Sequence, residues 1–158
     1  MVAEPSEKKP WTIFLSHAHE DKPFVDWLHD KLRSADLLVW YDKYEILAGD
    51  SVPRKIAEGL KGSEFLILVI SRESVKSNWV QEELEPKILE QIEGQHVTVL
   101  PLVLGKAKPE EISYLLKGKS YIRFPREGSD EKFKELMKSI EGHLQRRGLI
   151  TGPYMSGQ

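Results

Sequence analysis

The sequence predicts an α/β protein in which a flavodoxin-like, doubly wound sheet of five parallel strands, in the order 2-1-3-4-5, carries helices on both faces. Short apolar or β-branched segments alternate along the chain with amphipathic segments of helical period. One of the apolar segments, residues 65–70, has no polar position, as expected for a central strand that is covered on both faces. Strands that alternate with helices in this way form parallel βαβ units.

Each strand-like segment ends at a polar or turn-forming residue. Within the fourth segment, Pro101 is expected to end regular pairing, because proline has no N–H to donate to the strand ladder. The five segments cover residues 11–15, 37–41, 65–70, 97–104 and 121–124.

Helix-start signals precede the amphipathic segments. The Asp21-Lys22-Pro23 sequence predicts a helix start with proline in the first turn, and Ser51 and Ser129 are predicted to cap two later helices. A further helix is predicted over residues 78–92. Trp27 lies on the apolar stripe of the first helix and is interpreted as a structural residue.

Composition excludes several classes of protein. The chain has 158 residues, 40% of them hydrophobic and 30% charged, as expected for one soluble domain. Cysteine is absent, which rules out disulfides and thiolate chemistry and favours a cytoplasmic location. Basic and acidic residues are interspersed at a net charge of −2, so the Lys and Arg residues are interpreted as a solvated surface and no nucleic-acid partner is expected.

The same patterns predict where the domain begins and ends. Residues 1–10 are interpreted as a disordered lead-in, residues 11–146 as the domain, and residues 147–158 as a flexible tail. The longest apolar run is too short to cross a bilayer, so no membrane contact is expected. His17 and His19 lack further ligands at metal-binding spacing, so no metal is expected either.

The predicted sheet places a ligand-binding crevice outside the C-terminal ends of strands one and three. Residues 16–20 and 71–78 border this crevice, and residues 42–50 are close enough to act as a lid. Ser16 and His17 are interpreted either as substrate contacts, through side chains and backbone N–H groups, or as ordinary strand-end polarity. Asp42 is interpreted either as a substrate contact or as an Asx turn.

Trp79 and Glu83 are four residues apart and share one face of the helix that begins beside the crevice. The indole can stack on a flat heterocycle, and the carboxylate can bind ribose hydroxyls and stabilise the positive charge that develops as a glycosidic bond breaks. Spacing alone leaves open a second interpretation, in which Trp79 is a core residue and Glu83 is solvated. Glu82 would point about 100° away around the helix.

Three segments, in order, resemble the sequence boxes of Toll/interleukin-1 receptor (TIR) domains of the bacterial type. Residues 13–17 resemble the first box, and residues 42–51 resemble the BB loop. Ser77, Trp79, Glu83 and Leu84 resemble the S-x-W-x-x-x-E-L signature of the third. The resemblance runs from about residue 11 to residue 144, which is nearly the whole of the predicted domain.

The resemblance implies an enzyme that hydrolyses or cyclises NAD in bacterial immune signalling. It implies that Glu83 is the catalytic residue, that Trp79 packs on the substrate, and that NAD is a substrate in a site without a cofactor. Leu47 occupies a loop position where some enzymatic relatives carry an acidic residue, so either Glu45 makes the acidic substrate contact instead or this contact is missing. The loop that carries Tyr44, Ile46, Leu47 and Gly49 is expected to serve TIR–TIR self-association, or contacts with other TIR-containing proteins. The alternative is a loop that folds back on the core of its own domain.

Three alternatives to an NAD-cleaving enzyme are weighed against the same residues, and two of them stay open. The chain could be a non-catalytic homotypic interaction module in which Glu83 is incidental. It could be a nucleoside deoxyribosyltransferase, which also uses a glutamate beside ribose. A response-regulator receiver is disfavoured, because Ser16, His17 and Ser71 stand where its acidic pocket and phosphorylatable aspartate are required.

Overall fold

Five parallel strands form one sheet in the computed structural model, which describes residues 11–17, 19–41, 63–72, 97–108 and 120–153. The order is β2-β1-β3-β4-β5, and each neighbouring pair is parallel, so the predicted topology is confirmed. The strands are β1 (Thr12–Ser16), β2 (Leu38–Tyr41), β3 (Phe65–Ile70), β4 (Thr98–Leu104) and β5 (Ile122–Phe124).

Two long helices are described, and both begin where the sequence predicts. The first, α1, covers Lys22–Ser34, with Pro23 in its first turn, where a missing N–H costs no helical hydrogen bond. The second, α2, covers Asp130–Arg146 and is capped by Ser129, whose hydroxyl accepts a hydrogen bond from the Lys132 N–H at 3.2 Å. Among the described residues, no helix is long and apolar enough to span a membrane.

Both helices pack on the same face of the sheet. Their apolar stripes, including Leu28 and Ile140, join Ile67 and its same-face neighbours in one buried cluster. Leu66, Leu68 and Ile70 of β3 lie on the opposite face and are buried as well, which confirms β3 as a central strand covered on both sides. The helices predicted from Ser51 and over residues 78–92 lie outside the described residues.

The prediction for Pro101 is wrong. β4 continues to Leu104, and its pairing with β3 runs through Pro101, which lies opposite Leu68. Pairing of β4 with β5 begins only at Leu102. On that side of the strand, a missing N–H at Pro101 therefore removes no ladder hydrogen bond, which explains how a proline is accommodated within the sheet.

A tight turn joins β5 to α2 and packs against Trp27. The Gly128 N–H donates to the Pro125 carbonyl at 3.0 Å, and Gly128 has a φ of +91°, which favours glycine. A Cβ at this position would lie 2.7 Å from the indole of Trp27. Trp27 itself makes edge-to-face contacts with Phe124 and Phe133, so its predicted structural role is confirmed.

Candidate functional site

The C-terminal edge of the sheet, where the crevice is predicted, has the ends of β1 and β3 side by side. Ser16 is the last residue of β1 and lies opposite Leu68 of β3. Ser71 follows the last residue of β3 directly. β2 ends at the same edge with Tyr41, which lies opposite Leu15. The predicted lid, residues 42–50, lies outside the described residues.

Ser16 and His17 are buried at this edge, with 1% and 6% of their surfaces exposed. Among the described residues, the Ser16 hydroxyl has no hydrogen-bond partner. A buried polar group without a partner costs about 1–3 kcal/mol, so a ligand hydroxyl or amide placed here would satisfy a donor and acceptor that the described residues leave open. The choice between a substrate contact and ordinary strand-end polarity stays a prediction for both residues.

Asp21 joins three segments at the same edge. Its carboxylate is fully buried and accepts hydrogen bonds from the Ser71 hydroxyl at 2.5 Å and from Nη2 of Arg126 at 3.0 Å. The Arg126 side chain is half exposed, so the ion pair runs from the interior to the surface. Charge pairing and hydrogen bonding are what make a buried carboxylate tolerable.

Asp21 is the N-terminal flanking residue of α1, as its prediction at a helix start requires, but its side chain makes no capping hydrogen bond. An Asp before Lys-Pro has a complete local explanation, and nothing in that explanation points to a partner 50 or 105 residues away. The one available signal was topological, because Asp21 and Ser71 follow the two strands that border the crevice.

Basic side chains also meet at this edge. Arg72, Lys106 and Arg126 line a cavity of about 510 Å³ together with Leu104 and Gly105. These cations are far apart in the sequence, so their charges show no cluster there. All three are exposed, as the interpretation of the Lys and Arg residues as a solvated surface expects, but the fold brings them to one concave surface.

The other residues predicted for the site lie outside the described residues and stay predictions. They are Glu83 and Trp79 on the third-box segment, Asp42 and Glu45 as substrate contacts, and Tyr44, Ile46, Leu47 and Gly49 on the assembly loop.

Within the described ranges, no three His, Asp or Glu side chains are grouped so that they could hold a metal ion.

A doubly wound sheet of this order, with buried polar groups at its β1–β3 crevice, defines an α/β domain of the ligand-binding, flavodoxin-like class. The family model described as TIR domain matches residues 13–137. The chain therefore belongs to the TIR domain family, as the resemblance of the three boxes indicates.

Similar proteins are named as an NAD(+) hydrolase and as a 2' cyclic ADP-D-ribose synthase. The chain is 38% identical over 105 residues to the NAD(+) hydrolase TcpA of Theionarchaea archaeon, covering 66% of this chain and 32% of that protein. It is 38% identical over 111 residues to the 2' cyclic ADP-D-ribose synthase BtTIR of Bacteroides thetaiotaomicron, covering 70% of this chain and 38% of that protein. The chain thus spans about a third of the length of the first relative and less than two fifths of the second.

Solved structures support the fold. A metazoan TIR-STING receptor from C. gigas superimposes with a TM-score of 0.61 at 16% identity, covering 85% of this chain and 45% of that chain. At this level of identity the likeness concerns the fold alone.

Proposed function

We propose that this protein cleaves the nicotinamide–ribose bond of NAD and releases nicotinamide together with ADP-ribose or a cyclic ADP-ribose isomer. The observation that carries the proposal is the agreement between the family, whose similar members are named NAD(+) hydrolase and 2' cyclic ADP-D-ribose synthase, and the buried polar side chains at the switch point of the sheet. The crevice is where a sheet of this order binds its ligand.

The chemistry requires one carboxylate and a polar site that binds the ribose. The C1′–N bond breaks and its electron pair leaves with nicotinamide, which departs as a neutral molecule. Positive charge develops on C1′ and the ring oxygen, and a carboxylate at Glu83 stabilises it. A water oxygen then bonds to C1′ and loses a proton in hydrolysis, whereas a hydroxyl of the same molecule does so in cyclisation.

The described residues supply part of that ribose-binding site. The Ser16 hydroxyl and the His17 imidazole lie buried at the end of β1, where they can contact ribose hydroxyls. In this proposal Trp79 stacks against the substrate, and Asp42 and Glu45 contact it from the loop after β2. The same loop, through Tyr44, Ile46, Leu47 and Gly49, brings copies of the domain together.

The biological setting follows from the chemistry. NAD and a reducing environment are both found in the cytoplasm, which suits a chain without cysteine. Depletion of NAD or release of a cyclic nucleotide after clustering would serve bacterial immune signalling, with other TIR-containing proteins as the partners that promote the clustering.

The test is NAD consumption by concentrated protein, free and clustered on beads, for wild type, Glu83→Ala and Glu82→Ala. We expect wild type and Glu82→Ala to consume NAD, since Glu82 would lie about 100° away around the helix. We expect Glu83→Ala to lose at least about 100-fold in rate, the lower range for loss of a positioned catalytic group. Chromatography of the products then separates ADP-ribose from its cyclic isomers.

Circular dichroism must show that each variant is folded. Equal inactivity of folded wild type and Glu83→Ala in the clustered state contradicts the proposal and favours the homotypic interaction module. Cleavage of deoxynucleosides in place of NAD would favour the deoxyribosyltransferase.

A further inference from the structure

The cavity beside the crevice has the size and charge of a site for a phosphorylated ligand. It measures about 510 Å³, within the range of small-molecule sites, and lies at the C-terminal ends of β3 and β4. Of the described residues that line it, Arg72, Lys106 and Arg126 carry positive charge. Two guanidinium groups and one ammonium around a concave surface complement a multiply charged anion.

Arg126 is held in place by a buried partner. Its Nη2 donates to Oδ1 of Asp21 at 3.0 Å, and Asp21 is in turn held by the Ser71 hydroxyl at 2.5 Å. This bond to Asp21 uses one of the five N–H donors of the guanidinium. A half-exposed arginine that is fixed at one donor is a preorganised group for an anion, because little side-chain entropy remains to be lost on binding.

The turn that carries Lys106 is fixed as well. Arg123 on β5 donates hydrogen bonds to the carbonyls of Gly105 and, at 3.1 Å, Ala107. The Gly105 N–H donates to the Phe124 carbonyl at 3.3 Å. The backbone on both sides of Lys106 is therefore hydrogen-bonded to the neighbouring strand, which fixes the position of the turn that carries this lysine.

Arg72 connects the cavity to the crevice. It follows Ser71 directly, and the hydrogen bond of Ser71 to Asp21 links the end of β3 to the segment after β1. Neighbouring strands lie about 4.7–4.9 Å apart, so the cavity over β3 and β4 is roughly 5–10 Å from the centre of the β1–β3 crevice. A group attached to the ribose of a ligand in the crevice can span this distance.

We propose that Arg72, Lys106 and Arg126 bind the pyrophosphate of a nucleotide, as it occurs in both NAD and ADP-ribose. This inference rests on the proposed function for the identity of the nucleotide, whereas the anion site itself rests on the three cations and their anchoring. The volume exceeds what a single phosphate fills and leaves room for part of an attached ribose.

The experiment measures binding by calorimetry, so it does not depend on turnover. Sodium pyrophosphate, ADP-ribose and nicotinamide riboside, which has no pyrophosphate, are titrated into wild type and into the double variant Arg72→Gln/Lys106→Gln. The matched control is Lys134→Gln/Lys138→Gln, which removes two exposed lysines of α2 and changes the net charge equally, from −2 to −4. Arg126 is left intact, because its loss would leave the buried Asp21 without its cation.

We expect the cavity variant to bind pyrophosphate and ADP-ribose about tenfold or more weakly than wild type, and the lysine control to stay within about twofold. Binding of nicotinamide riboside should not change. Since NAD carries the same pyrophosphate, KM for NAD is measured in parallel. A raised KM identifies the anion as that of the substrate, whereas weaker ADP-ribose binding at unchanged KM identifies a product or effector site.

Pyrophosphate binding that is absent in wild type, or equal in all three proteins, overturns the inference. A cavity variant that alters only self-association in sedimentation also overturns it and makes the cavity a contact for an acidic surface of a second copy. Loss of pyrophosphate binding in a protein that consumes no NAD would leave the anion site standing and refute the proposed function instead. NAD cleavage with unchanged anion binding would do the reverse.

Discussion

Replacement of Asp21 by serine separates two roles that an aspartate can play at the start of a helix. Serine caps helices about as well as aspartate does, so a residue that acts only as a cap tolerates this change. In this structure the Asp21 side chain makes no capping hydrogen bond and instead accepts from Ser71 and Arg126. Asp21→Ser removes both tertiary contacts and leaves the capping chemistry available.

The expected loss follows from the burial of each partner. A hydrogen bond to a charged group contributes about 1.5–3 kcal/mol, which applies to the bond between the buried Ser71 and Asp21. The pair with Arg126 is half exposed, so solvent screening limits it to about 1 kcal/mol or less. We therefore expect Asp21→Ser to lower the free energy of unfolding by roughly 2–4 kcal/mol.

Urea unfolding followed by circular dichroism measures this loss, and a double-mutant cycle with Ser71→Ala assigns it. If the contact carries the effect, the coupling energy between positions 21 and 71 is about 1–2 kcal/mol. An Asp21→Ser variant within about 0.5 kcal/mol of wild type, with no coupling to Ser71, would refute this reasoning and return Asp21 to the role of a simple helix-start residue.

Two further changes test the edge of the sheet. Gly128→Ala should cost about 2–4 kcal/mol, because it combines a positive φ with a Cβ 2.7 Å from the Trp27 indole, and a change below about 1 kcal/mol in urea unfolding would contradict that packing. Ser16→Ala should leave the unfolding free energy unchanged or raise it by up to about 1 kcal/mol, whereas Ser129→Ala, the matched cap variant, should lower it by about 1 kcal/mol. Equal losses in the two serine variants would mean that Ser16 already has a partner in the folded chain.

Sequence patterns predicted the parts of this fold that depend on local periodicity. The six apolar positions of β3 sufficed to place it at the centre of the sheet, and the capping serine of α2 was evident as Ser129 before an apolar stripe. The crevice followed from strand order, since a sheet of order 2-1-3-4-5 reverses between β1 and β3. Pro101 shows the limit of a local rule, because the cost of a missing N–H depends on which neighbour pairs at that position.

The basic cavity could not be predicted in the same way. Arg72, Lys106 and Arg126 follow three different strands, and each alone is a surface cation of the most ordinary kind. Their meeting depends on strand order and on the exact length of each turn, and no periodicity encodes either. The contacts of Asp21 with Ser71 and Arg126 could not be predicted for a related reason. The helix-start pattern accounts for an aspartate at this position and carries no information on distant partners.

Asp21 also explains how the crevice and the cavity can act on one ligand. Through Ser71 it ties the segment after β1 to the end of β3, and through Arg126 it ties both to the turn after β5. These bonds constrain the three segments relative to one another, and the buried bond between Ser71 and Asp21 contributes more than the half-exposed pair with Arg126. In the proposed function, the ribose contacts near Ser16 and the pyrophosphate contacts of the three cations are thereby held near one separation. A substrate that matches this separation gains orientation at C1′ from contacts made several ångströms away, which is how binding of a remote group accelerates a reaction at the bond that breaks.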